Sequence, residues 1–369
     1  MPNSSGRGRH GRVTIADVAE RAGVSTSTAS LAFRSAGPIV PSTRDRILAV
    51  AAELGYSGPH PVASSLRRGR SGIVGIVIAE YVRHAFQNPV AVATMDGLAE
   101  SLDGVGYGLL MLPGRAYVSE RPEPLHTLPV DAVVLATRGE EFDNLLPLIR
   151  ARGVPIVGIE GPHADDITLV EVDDRAGMAT MAEHVARLGH RKVGVLMRTT
   201  TLGRTLPPGP AEPIGARLDE IENGTIRGRL EAVQQVFDDA VRVEAGGRDA
   251  AAGEAATGVL LDTPEPPTAL LAQNDILAAG AVMAAKHRGL VVPDDLTITG
   301  FDGVAIPWLE PELTTIRQPL RERGRRAGEL VSKMLAGERP EGVVLPVELV
   351  PGQTAGPPPP HRVAGPTAK

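Results

Sequence analysis

A chain of 369 residues with no Cys and 42% hydrophobic residues exceeds one typical core, so it divides into two or three domains and excludes disulfides, thiol nucleophiles and Cys-type zinc sites. The polar, basic start carries no secretory signal, and Arg, Asp, Glu or Pro interrupts every apolar run short of the roughly twenty residues of a membrane span, so a cytoplasmic, nucleoid-associated protein without a membrane partner is expected. The net charge of -6 conceals an asymmetry: residues 1–70 hold ten Arg and four acidic residues, whereas the remaining 28 basic and 40 acidic residues leave the body at -12, and such a basic segment is the footprint of nucleic-acid binding or of a solvated basic tail.

In chain order, residues 1–12 form a flexible basic arm. Thr14 and Asp17 make a capping pair for a helix with Ile15, Val18, Ala19 and Ala22 on one face, and Gly23 ends it. Ser25 caps a second helix, Thr26 to Phe33, with Ala29, Ala32 and Phe33 inward, until Gly37 and Pro38 break the pattern. A third helix follows Pro41 with Ser42 as its cap, running from Arg44 to Leu54 and burying Ile47, Leu48, Ala51 and Leu54. The Pro- and Gly-punctuated stretch after Gly55 reads as a linker in which Pro61 opens a short helix, Val62 to Arg67, with Ala63 and Leu66 on one face. Too short to stand alone, that helix needs a partner.

From Ile73 the grammar changes to apolar runs alternating with amphipathic stretches. Strands buried on both faces are expected at 73–79, 107–112, 131–136, 155–160 and 168–173, with helices at 90–104 and 141–152. A second series places helices at 176–188, 226–239 and 276–288 and strands at 192–197, 269–273 and 296–302. Two such series in tandem mean two open parallel sheets. Residues 198–224 read as a long loop, and the Pro-rich end, 353–369, as a disordered tail.

Several blocks carry a resemblance together: VTIADVAERAGVSTSTAS, AELGYSGPHPVASSL, VDAVVLA, VDDRAGM, EHVARLGHRKVGVL, QNDILAAGAVMAAKHRGLVVPDDLTITGFDG and LTTIRQPL, in that order. Over residues 13–352 the sequence resembles the lactose-repressor and galactose-repressor (LacI/GalR) family. The resemblance implies an α/β protein with an all-α helix-turn-helix headpiece (13–58), a hinge helix or linker (59–71) and a periplasmic-binding-protein-like two-lobed domain with two parallel sheets (72–352). The expected lobes are 72–170 with 301–317, and 173–298 with 320–352, with crossings near Glu171–Asp174, Thr299–Asp302 and Arg317–Pro319.

In a helix-turn-helix the second helix enters the major groove. The resemblance puts Thr26, Ser27 and Leu31 on base edges and Thr14, Ser25 and Thr28 on phosphates, and the place of Arg34 near the helix end favours a phosphate. Hydroxyls bond either a donor or an acceptor edge, whereas Leu31 contacts only apolar groups such as a thymine methyl, where many relatives carry a guanine-reading Arg; packing against the third helix is the plainer role for Leu31. Leu66, with Ala63 on the same face, matches the family's minor-groove wedge from paired hinge helices. Ser64 stands where many relatives have Arg. The implied partners are double-stranded DNA bearing a palindromic operator, a second copy of the chain as homodimer, and a small-molecule effector, with no cofactor and no metal.

The resemblance assigns the effector to Asp275, whose carboxylate suits vicinal hydroxyls of a sugar; helix capping by Asn274 or Asp275 serves the same position equally. Phe86, Phe301 and Trp308 are the candidate stacking aromatics, each equally a core residue. The family's second effector residue, an Arg three positions before a helix Gly, falls on Thr225 here; Arg227 and Arg229 stand nearby. No phosphate loop, serine elbow or metal-spaced His pair suggests an enzyme. The reading is an effector-responsive DNA-binding regulator, a repressor by family habit, against an intracellular ligand sensor of the same fold with weak DNA binding, which Leu31, Ser64 and Thr225 would suit.

Overall fold

The computed structural model describes residues 13–33, 39–58, 69–78, 82–114, 128–136, 141–198, 221 and 223–360. It comprises two compact units, Met1–Gly72 and Ile73–Lys369.

In the first unit, α1 (Ile15–Ala22), α2 (Thr26–Ala32) and α3 (Pro41–Glu53) close around Val18, Ala19, Ala22, Ala29, Ala32, Ile47 and Ala51. The capping box forms as its residue types dictate: Thr14 Oγ1 accepts from Asp17 N at 3.4 Å, Thr14 N donates to Asp17 Oδ2 at 2.7 Å, and Gly23 closes the helix in the left-handed region at φ 66°. Ser25 Oγ accepts from Thr28 N at 3.1 Å at the start of α2. Two expectations fail in α3. Pro41 itself occupies the first turn and Val40 is the uncapped N-cap residue, so Ser42 lies inside the helix. Leu48 points outward, 38% exposed, while Ile47 and Ala51 fill the core. Phe33 packs edge-on against Tyr56, ring centroids 5.4 Å apart, which ties the end of α2 to the residues beyond α3.

The second unit contains, among the described residues, two six-stranded sheets. The first lobe is built on β1 (Ile73–Ile78), α4 (Val82–Ala85), α5 (Pro89–Asp103), β2 (Gly108–Pro113), β3 (Ala132–Leu135), α6 (Glu141–Arg150), β4 (Ile156–Ile159) and β5 (Thr168–Val172). The second follows with α7 (Asp174–Arg187), β6 (Val193–Met197), α8 (Gly224–Gln234), β7 (Val241–Glu244), α9 (Ala250–Leu261), β8 (Ala269–Ala272), α10 (Asp275–His287), β9 (Thr297–Asp302) and β10 (Thr314–Arg317). The chain then returns through α11 (Leu320–Leu335) and β11 (Val343–Leu345) and ends on β12 (Glu348–Val350). Strand orders are β11-β5-β4-β3-β1-β2 and β12-β10-β9-β8-β6-β7; every pairing is parallel except β12 against β10. Each sheet carries apolar clusters on both faces, which is why its strands read as continuous apolar runs.

This topology corrects the expected lobes. β9 and β10 both lie in the second sheet, with Thr314 opposite Thr299, so no crossing occurs at 299–302 and residues 301–317 belong with the second lobe. Residues 320–345 belong instead to the first lobe, because α11 packs on α5 and β11 pairs with β5. The crossings are residue 173, residues 318–319 and residues 346–347. The packing of α11 on α5 explains the swap. Gly97, Gly324 and Gly328 let the two helix backbones meet so closely that a Cβ on Gly324 would overlap the Thr94 carbonyl oxygen. A Gly324→Ala substitution is therefore expected to cost about 1–3 kcal/mol as the helices are forced apart; an unchanged urea midpoint would show that the contact tolerates a methyl group.

The tail expectation is also corrected in part. Residues 353–360 are ordered on the second lobe: Thr354 is fully buried, its Oγ1 accepts from Thr314 N at 2.9 Å, and its carbonyl accepts from Ile298 N at 2.8 Å. Buried His190 bonds Thr268, Thr297 and the Gly356 carbonyl, pinning the segment from below. Proline-rich composition signals low apolar content, yet a stiff chain loses little entropy on docking when its polar groups find partners on a sheet.

Candidate functional site

Two regions gather chemistry. The first is the start of α2. Thr26 and Ser27 are exposed there, whereas Thr28 and Leu31 are partly buried. Ser25 Oγ sits 2.8 Å from both Ser27 Oγ and Thr28 Oγ1, so the first turn presents a connected row of hydroxyls. Thr14 stands exposed at the head of α1. Arg44 Nε donates to the Ala32 carbonyl at 3.1 Å and fixes the end of α2 to α3. Arg34, Ala63 and Leu66 lie outside the described residues.

The second region lies between the lobes, where parallel sheets deliver the residues that follow their strands. From the first sheet come Glu160 after β4 and Asp174 after β5; from the second come Arg198 after β6, Gln273 to Asp275 after β8, Asp302 at the end of β9 and Gln318 after β10. Arg229, on α8 and 1% exposed, is the centre of this group. Its Nε and Nη2 donate to Asp174 Oδ1 at 3.0 and 2.6 Å, its Nη1 donates to the Gln273 carbonyl, and its guanidinium lies 3.5 Å above the Phe301 ring. Desolvation works against its charge, but Asp174 and then Asp302 outweigh it and raise its pKa.

A polar chain runs from one lobe to the other. Gln318 Nε2 donates to Asp302 Oδ1 at 2.6 Å, Arg323 Nη1 donates to Gln318 Oε1 at 3.1 Å and pairs with Glu160, and Arg323 Nη2 donates to Thr94 Oγ1 at 2.9 Å. Asp302 and Glu160, at its ends, are non-Gly residues at φ 136° and 62°, a backbone strain held by these bonds. Burial first, and then the charge of Asp275, push the Asp302 carboxyl up to about 7; Arg229 and Arg198 oppose the rise and Glu160 adds to it.

The expected effector residues are distributed unevenly. Asn274 is the N-cap of α10, accepting from Leu277 N at 2.8 Å. Asp275 is fully buried, accepts from Thr315 Oγ1 at 2.5 Å and Val304 N at 2.8 Å, and lies so tight on Gly300 that a Cβ there would overlap its carboxylate. Burial raises its pKa. Both partners, and Gly300, belong to its own lobe. Phe301 is core beneath Arg229, whereas Phe86 and Trp308 are 62% and 55% exposed. Arg227 is partly exposed and faces Glu231 at 3.9 Å one turn along α8; Arg229, two residues on, is the one turned inward. Sequence reading named Arg229 only as a neighbour. The signal available was its position: two residues from Arg227, on the face of α8 that holds Ile226, Leu230 and Val233. Thr225 is buried, and among the described residues its Oγ1 has no hydrogen-bond partner. Among the described residues no group of three or more His, Asp or Glu is arranged to hold a metal ion, and no helix is long and apolar enough to cross a membrane.

Residues 14–58 match the family described as bacterial regulatory proteins, lacI family, and residues 182–355 match the periplasmic binding protein-like domain. An HTH-type transcriptional regulator of Mycolicibacterium smegmatis is 35% identical over 364 residues, covering 94% of this chain and 97% of its own. A crystal structure of a LacI-family transcriptional regulator from Corynebacterium glutamicum superposes with a TM-score of 0.67 at 26% identity, covering 93% of this chain and 98% of that one. The lac repressor dimer bound to operator and the anti-inducer ONPF shares the fold, with a TM-score of 0.71 at 23% identity over 93% of this chain and 99% of that one.

Proposed function

The chain belongs to the lacI family of bacterial regulatory proteins, as a DNA-binding transcriptional regulator, and on that premise we propose that it is a repressor controlled by a small molecule held between its lobes. It acts as a dimer on a palindromic operator. The observation that carries the effector half is the chain Asp302–Gln318–Arg323–Glu160, which joins the two lobes through their crossing segment. A ligand that bonds any member shifts the balance between lobe arrangements, and differential affinity for two arrangements is what allosteric control requires. In this reading Asn274 and Asp275 support the cleft from behind: Asp275 anchors the turn at 303–304 and so delivers Asp302 to the ligand.

On DNA, Thr26 and Ser27 read base edges, Thr14, Ser25, Thr28 and Arg34 hold phosphates, and Leu31 meets a thymine methyl at the edge of the headpiece core. Leu66, with Ala63 beside it, wedges the central step. Footprinting on the promoter of the protein's own gene at low salt tests the reading; protection of a palindrome is expected, and protection of none overturns it. Leu66→Ala is expected to weaken operator binding roughly tenfold, about 1.4 kcal/mol, with ligand binding unchanged. Operator occupancy that ignores every candidate sugar, sugar acid and sugar phosphate refutes the effector half.

A further inference from the structure

We infer that Arg198, together with Thr225 and the Gln273 side chain between them, forms an anion-recognition subsite in the cleft, and that the ligand carries a carboxylate or phosphate group. The inference rests on the preceding reading only in taking that ligand to be the effector.

Three observations converge. First, among the described residues the Arg198 side chain has no hydrogen-bond or ion-pair partner; its backbone N alone is bonded, to Gln273 Oε1 at 3.2 Å. Each carboxylate around it is already engaged elsewhere: Asp174 by Arg229, Glu160 by Arg323, and Asp302 by Gln318. The guanidinium nevertheless sits among them in a partly buried position, and desolvation first, then the charge of Arg229, lower its pKa against the opposing charges of Asp302, Glu160 and Asp174. A desolvated cation without a direct partner is costly, and an anion bonded to it would relieve that cost.

Second, the Thr225 Oγ1 is a buried hydroxyl with no partner, on the first turn of α8. Buried polar atoms are nearly always satisfied, so an orphan beside a cleft marks a place where a ligand atom completes the set. Third, Gln273 ties the backbone that carries Arg198 to the first turn of α8, which carries Thr225. It is fully buried, and while its Oε1 accepts from Arg198 N, its Nε2 donates to the Ile226 carbonyl at 3.0 Å, next to Thr225. Arg198 supplies a planar fork of donors and Thr225 a rotatable hydroxyl, a combination suited to an oxyanion. A neutral sugar would leave the Arg198 guanidinium without a direct ion-pair partner, and no described aromatic face lies open beside it, since Phe301 is covered by Arg229.

The test is scanning calorimetry of the full chain at pH near 7.5 in about 20 mM phosphate, acetate or chloride at matched ionic strength, on wild type, Arg198→Met and Thr225→Val. Wild type is expected to gain about 2–4 °C in Tm from phosphate or acetate over chloride, with the larger gain naming the anion class. Arg198→Met is expected to be more stable than wild type in chloride by about 2 °C and to show no anion-specific gain. Thr225→Val should fold with unchanged or higher Tm and a reduced gain.

An equal anion gain in wild type and Arg198→Met, no gain in wild type, or a destabilised or unfolded Arg198→Met overturns the subsite. Footprinting in the same salts separates the two readings. An Arg198-dependent gain without any change in operator occupancy keeps the subsite and removes its role as effector site. Release of operator by a neutral sugar alone, with no anion gain, does the reverse.

Discussion

Asp174→Ala is expected to lower the stability of the two-lobed unit by about 3–5 kcal/mol, seen as a large drop in its urea midpoint with little change in slope. The reason is asymmetric. Arg229 is 1% exposed and receives its carboxylate from Asp174, so the variant leaves a guanidinium buried over the Phe301 ring with only the Gln273 carbonyl to bond. Removing both charges avoids that cost, so Asp174→Ala combined with Arg229→Met should recover much of the loss. A single variant losing less than about 1 kcal/mol would mean that water or Asp302 replaces the missing carboxylate.

Asp302→Asn is expected to stabilise the protein at pH 8 and to lose that advantage toward pH 5. The Asp302 carboxyl is raised from 3.8 to about 7 by burial and by Asp275, against the opposing charges of Arg229 and Arg198. A carboxyl raised in the folded state binds a proton there that the unfolded chain has already released. Its contribution is therefore full below pH 3.8 and is lost as pH rises through about 7. At about 1.4 kcal/mol per unit, the window carries on the order of 4 kcal/mol. Asn keeps the shape and the bond from Gln318 Nε2, and it tolerates positive φ as Asp does, so the comparison isolates the charge. The decisive measurement is the difference in unfolding free energy between variant and wild type at the two pH values. A difference independent of pH would show that Asp302 is ionised throughout. Any release of operator between pH 6 and 8 should follow the same carboxyl, since it closes the chain between lobes.

Much of the architecture was legible because its causes are local. The capping box at Thr14 and Asp17, the αL glycine at Gly23 and the Ser25 cap need only neighbours in sequence, and they form as read. Double-faced burial made the strands of both sheets stand out as apolar runs. What failed was of a different kind. Residues 343–345 and 348–350 do not read as strands because their partners are distant: β11 pairs with a strand more than 170 residues earlier, and β12 with β10 across the intervening α11. Leu48 lies one step around α3 from Ile47, and the headpiece core closes on the Ile47–Ala51 face, which leaves Leu48 outside it.

In the cleft the residue types were visible but their division of labour was not. Asp275 is the natural ligand residue by position, and the structure adds that Gly300 brings β9 close to its carboxylate, which accepts from Thr315 and Val304. Arg227 and Arg229 differ in sequence by two places and in the structure by burial, because a step of two on a helix turns through more than half a circle.

The basic, hydroxyl-bearing headpiece was determined by the sequence alone, since charge, caps and helical period are written residue by residue. Likewise its order of apolar runs was enough to require two parallel sheets and thus a cleft at their carboxyl ends. Only the tertiary structure decided which lobe owns α11 and β11, and which carboxylate, Asp275 or Asp302, is turned toward the other lobe. Those choices depend on backbone approach at Gly97, Gly300 and Gly324, and on burial energies that exist only once distant segments have met.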